Sequence, residues 1–203
     1  MIRRLVVVIM LASLVLASAA ASPGLPVNLL ALRGTSETFR SINREGARAA
    51  AEAVSRAFLM FAMVERVDYE RARRYGEEAM GFLGIMENRY RRMLELTKDL
   101  ELLDGALRRV AFVQAEMELN VPTSGPLRDT WRILTAMRTQ DVVDKIILAE
   151  VRDLRSETNE FLKVLQGGQA VAIEGSAARA YDRWVIALVR WRYVSAVYRK
   201  AGQ

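Results

Sequence analysis

Apolar positions recur along most of this chain at intervals of three and four, the period of an amphipathic helix, and no run alternates as a strand would. The first helix is expected over residues 36–66, where Ala50, Val54, Ala57, Phe61 and Val64 form one stripe. Seven alanines between positions 47 and 62 suit a neighbouring helix that approaches closely. Thr35 or Ser36 is expected to cap this helix, with Glu37 favourable at its start. Asp68 reads as the cap of a second helix and Glu70 as part of its first turn, although no Pro or Gly forces a break before it.

The second helix carries a heptad. With Ala79 as a, the a row reads Ala79, Met86, Met93, Leu100, Leu107, Gln114, and the d row reads Phe82, Arg89, Leu96, Leu103, Val110, Met117. Ten of these twelve are apolar, a sustained repeat that predicts coiled-coil-like packing. Asp104-Gly105 is the point at which that helix kinks or divides. Asn120-Val121-Pro122-Thr123-Ser124-Gly125-Pro126 is a loop, with Pro126 suited to the first position of the next helix. A third long segment, 127–166, places Val143, Ile147, Val151, Leu154, Thr158, Phe161 and Leu165 on one face, and Gly167-Gly168 stops it. Residues 169–175 read as a short extended piece or a frayed turn. Ser176 is then the expected cap of a last helix, 177–200, with a core face of Tyr181, Trp184, Leu188, Trp191 and Tyr198. The fold class predicted is all-α: an antiparallel bundle of four long amphipathic helices, or five if the second divides.

The N-terminus departs from this pattern. Arg3-Arg4, an apolar run from Leu5 to Leu16 broken only by Ser13, and the small residues through Ala21 have the order of a secretory signal peptide. Cleavage is expected after Ala21, with an export destination in the periplasm or outside the cell. Retention of the run as a membrane anchor is the alternative. Residues 1–21 are thus the expected signal peptide, 22–35 a Pro/Gly-punctuated leader, and 36–203 one helical domain. Removing residues 1–21 from the 203 leaves 182, enough for a substantial core. The removed arginines lower the net charge from +6 to +4. With acids interspersed throughout, that balance is too mild to imply nucleic acid.

Composition narrows the chemistry further. There is no cysteine and no histidine. These absences exclude disulfides, Cys-ligated metals, thiol nucleophiles, Ser-His-Asp chemistry and His-ligated haem or zinc. Three constellations remain. Glu150, Asp153, Glu157 and Glu160 share one helical face and suit a hard cation, but the interleaved Arg152 and Arg155 favour a solvated face with local ion pairs. Met60, Met63, Met80, Met86 and Met93 offer thioethers of the kind that hold a soft metal, yet their positions suit core filling. The segment Arg183-Trp184 to Trp191-Arg192-Tyr193 resembles an interfacial membrane helix in composition, but its aromatics are better read as core anchors. Arg89 and Gln114, the polar intrusions in the heptad, read as register determinants.

No catalytic, cofactor or metal residues are assigned. The functional expectation is an exported, non-enzymatic bundle that binds a protein partner, or itself, through helical faces. A chaperone-like or membrane-apposed role is the first alternative. A metal or small-ligand carrier using Met or carboxylate ligands is the second.

Overall fold

A computed structural model describes residues 29–96, 101 and 106–200. The expected signal peptide, residues 22–28 of the leader and Asp104-Gly105 lie outside the described residues. All regular structure among the described residues is helical.

Helix α1 spans Leu29–Glu65 and α2 spans Tyr69–Glu95. The turn between them closes with Val67 N–H donating to the Val64 carbonyl at 2.9 Å and Asp68 N–H to the Met63 carbonyl at 2.9 Å. This is the double bond pattern that ends a helix on a left-handed residue, here Val67 with φ 60°. Asp68 then caps α2 as expected, its carboxylate accepting from the Arg71 N–H at 3.2 Å. Helix α1 opens ahead of its expected start, so Thr35 and Ser36 lie inside the helix rather than capping it.

The seam of α2 keeps the heptad period but corrects one of its rows. The buried positions are Ala72, Gly76, Ala79, Leu83, Met86, Tyr90 and Met93. Ala79, Met86 and Met93 are therefore seam residues as expected, but their partners lie four residues on, not three. Phe82 and Leu96 are half-buried at the rim, and Arg89 reaches sideways to Glu45 of α1 at 2.9 Å. The physical reason is the approach of α1. Gly46 leaves room for the Tyr90 ring, whose nearest carbon is 2.6 Å from where a β-carbon on residue 46 would stand. Tyr90 takes the place in the seam that the d row gave to Arg89.

Helix α3, Ala106–Leu119, does not continue that register either. Of residues 111–119, Ala111 and Ala115 are buried, whereas Met117 is 75 % exposed and Gln114 half-buried. Asn120, left-handed with φ 48°, ends α3 and leads into the expected loop. Pro126 opens α4, Pro126–Ala136. The third long segment is thus two pieces, because Met137 and Arg138 are extended, with ψ of 150° and 153°. A single turn, Thr139–Asp141, leads into a π-helical stretch, Val142–Leu148, which continues as α5, Ala149–Gly167. The predicted stripe Val143, Ile147, Val151, Leu154, Thr158, Phe161, Leu165 is buried throughout. Gly168, left-handed with φ 69°, stops α5 as expected.

Helix α6 runs over Ala170–Lys200, so Ser176 is an interior residue, not a cap. Residues 169–175 are helical from Ala170 because Ile173 is needed in the core, where it is buried one turn before the expected start. The inward face is Ile173, Ala180, Trp184, Ala187, Trp191, Val194 and Tyr198. Tyr181 and Leu188, expected in that face, are exposed at its edge, where Tyr181 packs its ring against Phe58 and Phe61 of α1.

Helices α1, α2, α5 and α6 form an up-down-up-down ring. Asn43 meets Tyr90, and Met60 lies against Gly76, so α1 and α2 are antiparallel. Gly76 meets Leu162 while Glu87 meets Arg155, which makes α2 and α5 antiparallel. Asp153 pairs with Arg183 and Glu150 with Arg190 between α5 and α6. Phe39 packs edge-on against Tyr198, and Phe61 against Tyr181, closing the ring between α6 and α1. The α3–α4 hairpin lies outside it, along the C-terminal third of α6. Trp131 of α4 is its anchor, fully buried and edge-on to both Phe112 and Tyr193 at 5.6 and 5.5 Å.

Candidate interaction surface

The acids of the third segment are spread along α5, and two of them meet arginines of α6. Glu150 alone of the four is buried, and it is held by Arg190 and lies 3.6 Å from Arg183, both on α6. Asp153 is exposed and pairs with Arg183 at 2.9 Å. Glu157 is half-buried and Glu160 exposed, further along α5. Among the described residues no group of three or more acidic side chains converges as metal ligands would. The row instead fastens α5 to α6. Glu150 sits directly after the π-helical stretch, where Ala149 N–H still donates back to the Asp144 carbonyl.

The methionines separate by burial. Met60, Met86 and Met93 are core residues, and Met63 and Met80 pack half-buried against them. Met60 fills the space beside Gly76, its sulfur 2.8 Å from where a β-carbon there would lie. The last-helix aromatics are anchors as well. Trp184 and Trp191 are buried, edge-on to one another at 6.4 Å, and the Trp184 Nε1–H donates to Thr158 Oγ1 at 3.2 Å. With both indoles inside, α6 does not present the aromatic row an interfacial helix needs.

Sequence reading missed a polar relay that ties three helices. Tyr90 Oη–H donates to Asn43 Oδ1 at 3.1 Å, and Asn43 Nδ2–H donates to the Ser195 carbonyl at 3.4 Å. Burial of the Tyr90 hydroxyl pushes its pKa well above the usual tyrosine range. It stays protonated and serves as a donor. The signal for this relay was faint, a lone Asn on α1 and a Tyr adjacent to the predicted d row. A second buried hydroxyl, Tyr198 Oη–H, donates to the Thr139 carbonyl at 3.4 Å. Beside it, Phe112, Leu134, Val142, Val194, Val197 and Tyr198 line a cavity of about 10 Å³. That is barely room for a single water, and the walls are apolar.

The surface holds the more informative feature. On the side of α6 that faces away from the bundle, Val171 is 86 % exposed and Ile186 42 %. Val185 and Val189 lie half-buried beside them. No helix among the described residues is long and apolar enough to cross a membrane. Compared with models of known families, with curated proteins and with solved structures, the chain matches none.

Proposed function

We propose that this is an exported helical bundle that acts by binding a protein partner through its outer helical faces rather than by catalysis. The observation that carries the reading is the outward apolar side of α6, where Val171 and Ile186 are exposed and Val185 is half-buried between charged residues. Burying such side chains against a partner contributes about 25 cal/mol for each Å² of apolar surface removed from water. The N-terminal sequence supports export, and the acidic and thioether side chains considered as ligands are engaged in ion pairs or packing.

Affinity capture tests the reading. Tagged chain expressed in a Gram-negative host is cross-linked in the envelope and recovered beside a Val185→Asp/Ile186→Asp variant. A protein recovered with the wild type and lost with the variant supports it. Recovery of the same proteins by both, or export failure of the wild type, counts against it.

A further inference from the structure

The apolar residues of helix α6 are not confined to one side of it. Its inner side faces the bundle. Its outer side carries a second stripe, Val171, Gly175, Ala178, Asp182, Val185 and Val189, at alternating spacings of four and three, the repeat of a helix–helix seam. Towards the C-terminus this outer side is already covered by a helix, for Tyr193 is buried beneath Trp131 of α4. Among the described residues a helix thus covers the C-terminal third of the outer side, and residues 171–186, a length of about 22 Å, have none over them.

The charges beside that open stretch select the occupant. Arg179 and Asp182 are both exposed, and neither has an ion-pair partner among the described residues. If a two-fold axis passes between residues 180 and 181, an antiparallel second helix brings Asp182 opposite the partner's Arg179, and the contact occurs twice. The same axis sets Ile186 against the partner's Gly175, a large side chain over one with no side chain to displace. A β-carbon on Gly175 would meet nothing within 4 Å in this chain, so the space there is open. Two-fold pairing of one surface with itself is the commonest way for a chain to bury such a face.

We propose that the outer face of α6 pairs antiparallel with the same face of a second copy of this chain, kept in register by reciprocal Asp182–Arg179 contacts. The proposal rests on the protein-binding reading above and names its partner.

Sedimentation velocity on protein purified from expressing cells, over about 1 to 100 µM, tests it. The expected species is a dimer that dissociates on dilution. Asp182→Arg alone, or Arg179→Asp alone, places like charges together and weakens dimerisation by about tenfold or more. The double variant Asp182→Arg/Arg179→Asp restores opposite charges and returns the dimer. Both positions are solvent-exposed, and unchanged helical circular dichroism verifies that the variants fold. A monomer at every concentration, a dimer indifferent to the single reversals, or a double variant as weak as the singles would each overturn the proposal. A monomer that still captures another protein through Val185 and Ile186 overturns this choice of partner and leaves the binding reading intact.

Discussion

At the scale of single residues, two non-glycine positions among the described residues are left-handed, Val67 and Asn120, and the β-branched Val67 is the strained one. Val67 occupies the left-handed region, where a β-branched side chain crowds the neighbouring carbonyl. The site is exposed, so no packing would be lost on substitution. Val67→Gly is expected to stabilise the protein by about 1 kcal/mol, raising the melting temperature by about 2–4 °C. An unchanged or lower melting temperature would show that the turn carries no strain. Two glycines make a complementary pair. A methyl group at Gly84 meets nothing within 4 Å, so Gly84→Ala should gain most of the helix-propensity difference, up to about 1 kcal/mol. At Gly46 the same methyl meets the rigid Tyr90 ring at 2.6 Å, and shifting that ring disturbs its hydrogen bond to Asn43. Gly46→Ala is therefore expected to destabilise by about 1–3 kcal/mol, overpacking outweighing propensity. Urea denaturation of the two variants side by side checks the opposite signs.

Elements show why part of the fold was legible from the sequence and part was not. The stripe from Val143 to Leu165 could be read because over its middle, from Val151 to Phe161, the residues beside it (Arg152, Asp153, Arg155, Ser156, Glu157, Asn159 and Glu160) are polar. Helix α2 was harder. Its period was plain from Ala79, Met86 and Met93, but two candidate rows flank that line. The row with Phe82 and Leu96 looked more apolar than the row with Gly76, Leu83 and Tyr90. The closeness of α1 decides between them, since a glycine in a seam admits a neighbouring helix and a tyrosine is admitted by a glycine opposite. Neither is visible without the partner helix. On α6 the difficulty was excess, because apolar residues lie all round and one chain cannot say which side its bundle takes. That ambiguity hid the candidate surface, which lies on the side not chosen as core. The π-helical stretch carried no sequence signal either. Its consequence is testable through Glu150, the buried carboxylate that comes directly after it. Glu150→Gln leaves the shape but removes the charge that Arg190 and Arg183 meet. A loss of about 1.5–3 kcal/mol is expected, the range for a hydrogen bond to a charged group. Hydrogen exchange should show the loss first in residues 142–150. Protection there that matches the wild type would mean that Glu150 does not secure the stretch.

The molecule as a whole has no disulfide to join its helices, so ion pairs between elements contribute to its pH response alongside packing. Glu87 of α2 joins one such pair, with Arg155 of α5, and also pairs with Arg91 on its own helix. The Arg91 guanidinium beside it, together with Arg155 of α5 at 2.5 Å, holds its carboxyl below the usual glutamate range, against the opposing effect of burial. Glu116 of α3 is lowered in the same direction, chiefly by Arg128 of α4. Because both carboxyls titrate lower in the folded chain, the unfolded chain binds more protons as the solution turns acidic. The stabilisation is complete above the ordinary glutamate value of 4.5 and is lost as pH falls through the depressed folded values. Stability is therefore expected to decline between about pH 5 and 3, with a slope set partly by these two groups. Glu87→Gln removes one titrating link between α2 and α5, so it should be less stable than the wild type at neutral pH and should approach it at about pH 3. Urea midpoints measured across that interval decide the matter. Parallel curves for the two proteins would mean that Glu87 titrates alike in the folded and unfolded chains. Convergence on acidification would show that Glu87, held by Arg91 and Arg155, carries part of the acid-dependent loss of stability.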